Sequence, residues 1–212
     1  MNILLIDDHA LFAKSLEIAL EDYPEIDEFR SLQNVENIVT IINQFKPDII
    51  LLDINLSNIS SEDGLEIAKI ILDSKCDTKI VILTGYDLPV YQYEAQKLGV
   101  SGFINKNILP EVLVQILNDI NKGAFHFPTS TETIEELTHT EKQILQLLCD
   151  GYKRKEIASM LYASERTISN HIQHVFDKLN VSSSLEAVTK GIKLGYIWSY
   201  PCQVDSIKKT KQ

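Results

Sequence analysis

Several polar side chains sit where apolar runs end. Asp7 and Asp8 follow the first such run, Asp53 follows Ile49-Ile50-Leu51-Leu52, Thr84 closes another, and Lys106 stands just after a fourth. Gathered in one place, three carboxylates repel one another, and a divalent cation is the usual means of keeping them ionised. Few, hard oxygen ligands suit Mg2+, which retains waters that a substrate phosphate can replace. A carboxylate so placed can attack a phosphoryl donor and become an acyl phosphate, while the metal and a Lys stabilise the equatorial oxygens during transfer. Asp53 is the candidate nucleophile because it ends the central buried strand. Any one of these acids reads equally well as the cap of a following helix. Their joint placement at the ends of different elements favours a site.

The elements must bring those ends together. Short apolar runs at 2–6, 48–52, 79–83 and 102–104 read as buried strands, with a weaker candidate at 28–32. Strands this apolar need cover on both faces, which the segments between them supply. In 109–120, for example, Leu109, Val112, Leu113, Ile116, Leu117 and Ile120 recur at the steps of one helix face. Five strands alternating with helices predict an α/β fold, a doubly wound parallel sheet whose strand carboxyl ends share one edge. After Gly123 the pattern changes. Residues 124–136 carry Pro128 and a Thr/Ser/Glu-rich tract and read as a linker. From 137 to 199 no strand is evident, and helical patterns at 139–149, 153–161, 165–179 and 182–194 predict a small all-α domain. Residues 200–212 read as a flexible tail.

Length and charge agree with two unlike parts. At roughly 150 residues per domain, the 212-residue chain suits one large domain or two small ones, and 44% apolar with 24% charged residues excludes a disordered or disulfide-stapled chain. The net charge of −10 speaks against a nucleic-acid partner until it is divided. Residues 1–123 hold 9 basic and 20 acidic side chains, whereas 137–212 hold 11 basic and 7 acidic. Only the second part suits DNA. Cys76, Cys149 and Cys202 are widely spaced, without a C-x-x-C pair, and read as free thiols in a reducing compartment. No apolar run approaches the ~20 residues of a membrane span. Asp7-Asp8 also interrupts the stretch where a signal peptide would continue, so a cytoplasmic protein with no membrane partner is expected.

With Asp7-Asp8, Asp53, Thr84 and Lys106 at those positions, residues 1–122 resemble the receiver domain of two-component response regulators, of flavodoxin-like fold. The resemblance implies phosphorylation of Asp53 by a histidine kinase. It implies Mg2+ on Asp8, Asp53 and the main-chain carbonyl of Asn55, with Asp7 assisting. Thr84 and Lys106 would bind phosphoryl oxygens, and Phe103 would be the switch aromatic that turns inward with Thr84. For Phe103 a plain core role, and for Asn55 a plain turn role, remain alternatives. The chain departs from the family after Asp53. Leu56 is followed by Ser57 rather than Pro, and the Asp-Gly pair falls at Asp63-Gly64, making this loop about three residues longer. Kinase choice or acyl-phosphate lifetime are the properties such a loop would alter.

In the second part, Glu156-Ile157-Ala158, Leu161, Ser164 and Thr167 outline a helix, a turn and a second helix capped by Ser164. Ile168, Ile172, Val175 and Leu179 then face the core, while Ser169, Asn170, Gln173 and Asp177 face outward. Asn and Gln pair bidentately with adenine, so Asn170 and Gln173 are candidate base readers, with Ser169 and Thr167 beside them. Arg166, Lys153, Arg154, Lys155 and Lys178 are candidate phosphate contacts. Taken alone, this polar face reads equally as a solvated helix surface. Together with Leu137-Thr138, Glu141, Ile144-Leu145, Gly151, His171, Lys178-Leu179 and Ala187, it resembles the LuxR-type helix-turn-helix over 137–197. Thr140, Ser169 and Ser184 stand where that family often has a basic residue, which predicts a shallower salt dependence of DNA binding.

Joined, the two parts resemble a NarL/FixJ-type response regulator: a phosphorylation-controlled, double-stranded-DNA-binding transcription regulator, not an enzyme, which forms homodimers when phosphorylated. Leu185, Val188 and Ile192 form a stripe on the last helix that serves either as a dimer face or as internal packing. Two rival functions use the same residues. An aspartyl-phosphate phosphatase or phosphotransferase wants an acid two positions after its nucleophile, where this chain has Asn55. A phosphorylation-independent regulator would have no use for the intact polar set.

Overall fold

Uniformly apolar and amphipathic segments alternate in the sequence, and strands and helices alternate accordingly. The computed structural model describes residues 1–56, 58–60, 62–85, 88–128 and 134–198. The chain divides into two units, one of residues 1–87 and 91–131 and the other of residues 88–90 and 132 onward. In chain order the first contains β1 (Asn2–Ile6), α1 (Ala10–Leu20), β2 (Glu28–Leu32), α2 (Ile38–Phe45), β3 (Ile49–Leu52), α3 (Gly64–Asp73), β4 (Lys79–Thr84), α4 (Pro89–Leu98), β5 (Gly102–Asn105) and α5 (Pro110–Asn121). All strands are parallel in the order β2-β1-β3-β4-β5, the expected doubly wound sheet. β1 and β3 are the central strands with no solvent face: Ile3 to Ile6 and Ile49 to Leu52 are fully buried. β2 gave the weakest sequence signal because it is an edge strand, and Glu28, Arg30 and Ser31 point into solvent.

On α5 the buried residues are Leu113, Val114, Leu117 and Ile120, so the core face is rotated from the stripe expected in the sequence. Leu109 is the N-cap residue and lies outside the helix, 60% exposed, and Val112 is 39% exposed. Val114 takes the inward place. Residues 124–127 do not leave the first unit as a free linker would: the Phe103 N–H donates to the His126 carbonyl at 2.8 Å and the His126 N–H to the Ser101 carbonyl at 3.1 Å.

The second unit is built of α6 (His139–Cys149), α7 (Arg154–Met160), α8 (Glu165–Leu179) and α9 (Ser184–Leu194). Each expected helix is present within two residues of its expected bounds. Leu137, Ile144, Leu145, Ile157, Ile168, Ile172, Val175, Leu179 and Ala187 form its core, with Ile134 packed against them. Caps fix where the helices start: Thr138 and Glu141 form a capping box on α6, Ser164 accepts from the Thr167 N–H on α8, and Ser183 accepts from the Glu186 N–H on α9. The tail expected from residue 200, with Cys202, lies outside the described residues, as do residues 129–133 of the expected linker. Among the described residues Cys76 and Cys149 are free thiols, and no helix is long and apolar enough to cross a membrane.

Candidate functional site: an acidic pocket and a recognition helix

The strand order makes neighbours of β1, β3, β4 and β5, and their register aligns Ile6 with Leu52, Leu52 with Ile82 and Thr84 with Asn105. The residues just beyond these ends therefore converge on one edge. Asp7, Asp53 and Thr84 are buried, at 0%, 2% and 0% exposure. Lys106 is what makes burial of so much negative charge tolerable. Its Nζ donates to Asp53 Oδ2 at 2.6 Å and lies 2.7 Å from Asp7 Oδ2, and it sits 4.6 Å from the centre of the Phe12 ring. The other Asp53 oxygen, Oδ1, accepts from the Ile54 N–H at 2.8 Å. The Lys106 N–H donates to the Thr84 carbonyl at 3.0 Å, tying the start of the β5–α5 loop to the end of β4. Asn55 lines the mouth of the pocket with Gly85, Leu11 and Phe12. Phe103 is fully buried on β5 beneath this edge.

Two contacts in the pocket escaped the sequence reading, one of His9 and one of Asn58, which the sequence placed only in the loop after Asp53. His9 is the N-cap residue of α1, but its ring does not cap the helix. Instead Nδ1 approaches Asp8 Oδ1 at 2.7 Å and Asp7 Oδ1 at 3.2 Å. Its position directly after the Asp-Asp pair was the signal available for it. Asn58 is the second: its side-chain amide donates to Asp8 Oδ2 at 2.8 Å. No short-range pattern announces that contact, because it joins residues 50 positions apart.

Donor atoms of Asp7, Asp8, His9 and Asp53 all lie within 4.8 Å of one another, and this is a cluster that can hold a metal ion. Its chemistry fits a hard cation. Asp7 Oδ2 and Asp8 Oδ1 are buried yet accept no aligned hydrogen bond. Lys106 and His9 come close enough for charge pairing, but they leave lone pairs unsatisfied, which a cation would satisfy.

Around the far end of the pocket the chain is held tightly. Gly64 opens α3, its N–H donating to the Ile54 carbonyl at 2.9 Å. A Cβ at Gly64 would stand 2.0 Å from the Asp53 carbonyl oxygen, so no larger residue fits there. Asp63 caps α3 by accepting from the Leu65 and Glu66 N–H groups. Burial nevertheless pushes its carboxyl above the usual range, opposed by these backbone hydrogen bonds and aided by the nearby Glu66.

In the helical unit, Asn170, Gln173, Arg166 and Thr167 are exposed on α8, with Ile168, Ile172, Val175 and Leu179 buried on its other side. Ser169 is half-buried, and its hydroxyl donates to the Glu165 carbonyl. Gln173 donates to Asp177 at 2.9 Å along the helix. Lys153, Arg154 and Lys155 are exposed at the start of α7. His174 shares the exposed side of α8 and was missed in the sequence because the apolar positions, not the polar ones, set the periodicity.

Lys178 differs from the expectation of a free phosphate contact. Its Nζ donates to Glu141 Oε2 at 2.7 Å and to the Glu136 carbonyl at 3.0 Å, so its charge is spent inside the unit. Burial raises the Glu141 pKa, but hydrogen bonds from Lys178 and Thr138 outweigh it and hold the carboxyl below its ordinary range. The expected stripe on α9 divides. Val188 and Ile192 pack against the unit's own core. Leu185 is 78% exposed and lines a shallow hollow with Val181, Thr189 and Lys193.

Known proteins resemble the chain along most of its length. Residues 3–118 match the family model described as the response regulator receiver domain, and residues 135–190 match that of bacterial regulatory proteins of the luxR family. The transcriptional regulatory protein DegU of Brevibacillus brevis is 27% identical over 227 residues, covering 93% of this chain and 95% of DegU. The oxygen regulatory protein NreC of Staphylococcus carnosus is 28% identical over 213 residues, covering 91% and 97%. Among solved structures, RcsB from Salmonella enterica serovar Typhimurium, bound to a promoter in the presence of phosphomimetic BeF3−, superimposes with a TM-score of 0.67. It is 21% identical and covers 90% of this chain and 97% of that one, a likeness of fold.

Proposed function

The chain belongs to the response regulators, with a receiver domain followed by a LuxR-family DNA-binding domain, and from that membership we propose that phosphorylation of Asp53 controls its binding to DNA. Asp53 attacks the phosphorus of a phosphohistidine on a sensor kinase. A P–O bond to the carboxylate forms as the P–N bond breaks, and the electron pair returns to the imidazole. Asp8, Asp53 and the Asn55 main-chain carbonyl would hold Mg2+, with Asp7 assisting. Bound there, it supplies charge neutralisation for the phosphoryl oxygens. Lys106, already on Asp53, pairs with one phosphoryl oxygen, and the Thr84 hydroxyl binds another. The regulator uses this chemistry only on itself, first to take up the phosphoryl group and later to lose it to water.

The new charge biases the surface around β4, α4 and β5, where Thr84 and Phe103 lie, between two states. In the phosphorylated state the chain dimerises, and two copies of α8 meet half-sites about one DNA turn apart. The exposed Leu185 face is the candidate contact between the paired helical domains. Such a function implies action in the cytoplasm, since it needs access to DNA and to a sensor kinase.

One observation carries this reading: Lys106 bridges Asp53 and Asp7 within a cluster of Asp7, Asp8, His9 and Asp53 whose ligand atoms lie within 4.8 Å of one another. Incubation with acetyl phosphate and Mg2+ is expected to label Asp53, and Asp53→Asn to abolish the label. Continued labelling of the variant at another residue would sink the assignment.

A further inference from the structure

Between the end of β3 at Leu52 and the start of α3 at Gly64 the chain forms a loop that folds over the pocket. Leu56 is buried, and its carbonyl accepts from both the Ile59 and the Ser60 N–H at 2.9 Å, folding the chain back on itself. This tight turn carries Asn58 over Asp8. The Asn58 side-chain amide donates to Asp8 Oδ2 at 2.8 Å, and its backbone N–H donates to the same oxygen at 3.2 Å. At its far end the loop is fastened by the Ser60 hydroxyl to Glu62, and then by Gly64 against Asp53.

Both donors of Asn58 thus converge on one oxygen of Asp8. The other, Oδ1, is buried within the cluster, where His9 Nδ1 lies 2.7 Å from it. A carboxylate free to rotate would exchange its two oxygens, whereas one with two donors fixed on Oδ2 presents Oδ1 inward. Groups that orient a metal ligand in this way are worth about 10- to 100-fold in metal affinity.

We propose that Asn58 is a positioning residue for the cation site: it locks the Asp8 carboxylate with Oδ1 facing the pocket, so that the β3–α3 loop sets the affinity for Mg2+. This rests on the reading of Asp8 as a cation ligand. Asn58 acts through Asp8, to which its backbone and side-chain donors are both directed.

The test is a titration of the full chain with Mg2+ alone, followed through backbone amide NMR shifts at Asp8, Gly85 and Asn58. Thermal unfolding without Mg2+ is measured in parallel. In Asn58→Ala the dissociation constant is expected to rise about tenfold, while the metal-free unfolding midpoint, which a purely structural role would lower, stays in place. Asn58→Gln keeps a donor amide and is expected to recover part of the affinity. An unchanged or tighter dissociation constant in Asn58→Ala overturns the proposal and leaves the phosphorylation reading intact. A wild-type chain with no saturable shifts at the acidic residues overturns the cation reading itself, and the proposal with it.

Discussion

Charge balance decides what each polar residue in this molecule is free to do. In the pocket, one ammonium faces Asp7 and Asp53 together, leaving negative charge in excess and room for a cation. In the helical domain the same accounting removes Lys178 from the DNA-facing set, since Glu141 already neutralises it. The remaining exposed groups on α7 and α8 divide by chemistry. Asn170→Ala is expected to cost about 1–3 kcal/mol on the preferred site and to relax preference at one base pair. Arg166→Ala is expected to weaken all sequences alike and to reduce the salt slope by about one. Binding titrations on matched and mismatched duplexes at two salt concentrations separate the two. At this scale the sequence was most legible where a side chain ends an apolar run, as with Asp53, Thr84 and Lys106. Asn58 and Lys178 were not legible, because their partners lie 50 and 37 residues away and no local period reports them.

At the scale of elements, two junctions hold the functional surfaces in place. The first is the start of α3, where Gly64 lies against the Asp53 backbone. Gly64→Ala is expected to destabilise the receiver by about 1–3 kcal/mol, through overpacking at backbone that cannot yield. It should also slow phosphorylation, because the carbonyl it displaces belongs to the nucleophile. Denaturant unfolding and acetyl phosphate labelling measure the two effects.

The second junction is the start of α6, where Glu141 completes the capping box and receives Lys178 from α8. With its pKa lowered on folding, Glu141 contributes stability that is present above its ordinary value of 4.5 and is lost as pH falls through the lower folded value. Glu141→Gln is therefore expected to cost about 2 kcal/mol near neutrality, and the difference from wild type should shrink in acid. Melting curves at neutral pH and near pH 4 check the sign. The elements themselves were largely readable, since strands buried on both faces and amphipathic helices have distinct periods. The inward face of α5 was misjudged where Leu109 counted as helical although it sits at the cap.

For the whole molecule, the net charge of −10 is a sum over an acidic receiver and a basic DNA-binding domain, and that division matches what the two parts do. Their order along the chain was legible, as was a linker at 124–136, and residues of that segment are held by the units themselves. His126 runs beside β5, and Ile134 packs on the helical core. On the proposed reading, a phosphoryl group on Asp53 acts by biasing the receiver between two states. Its effect is an equilibrium between states, and differential affinity for DNA is the quantity that reports it. The most direct test is the affinity of the full chain for its selected DNA, with and without acetyl phosphate plus Mg2+, in wild type and Asp53→Asn. The account predicts a gain of tenfold or more, about 1.4 kcal/mol, confined to the wild type. Equal affinity in all four measurements, or an equal gain in Asp53→Asn, would contradict it.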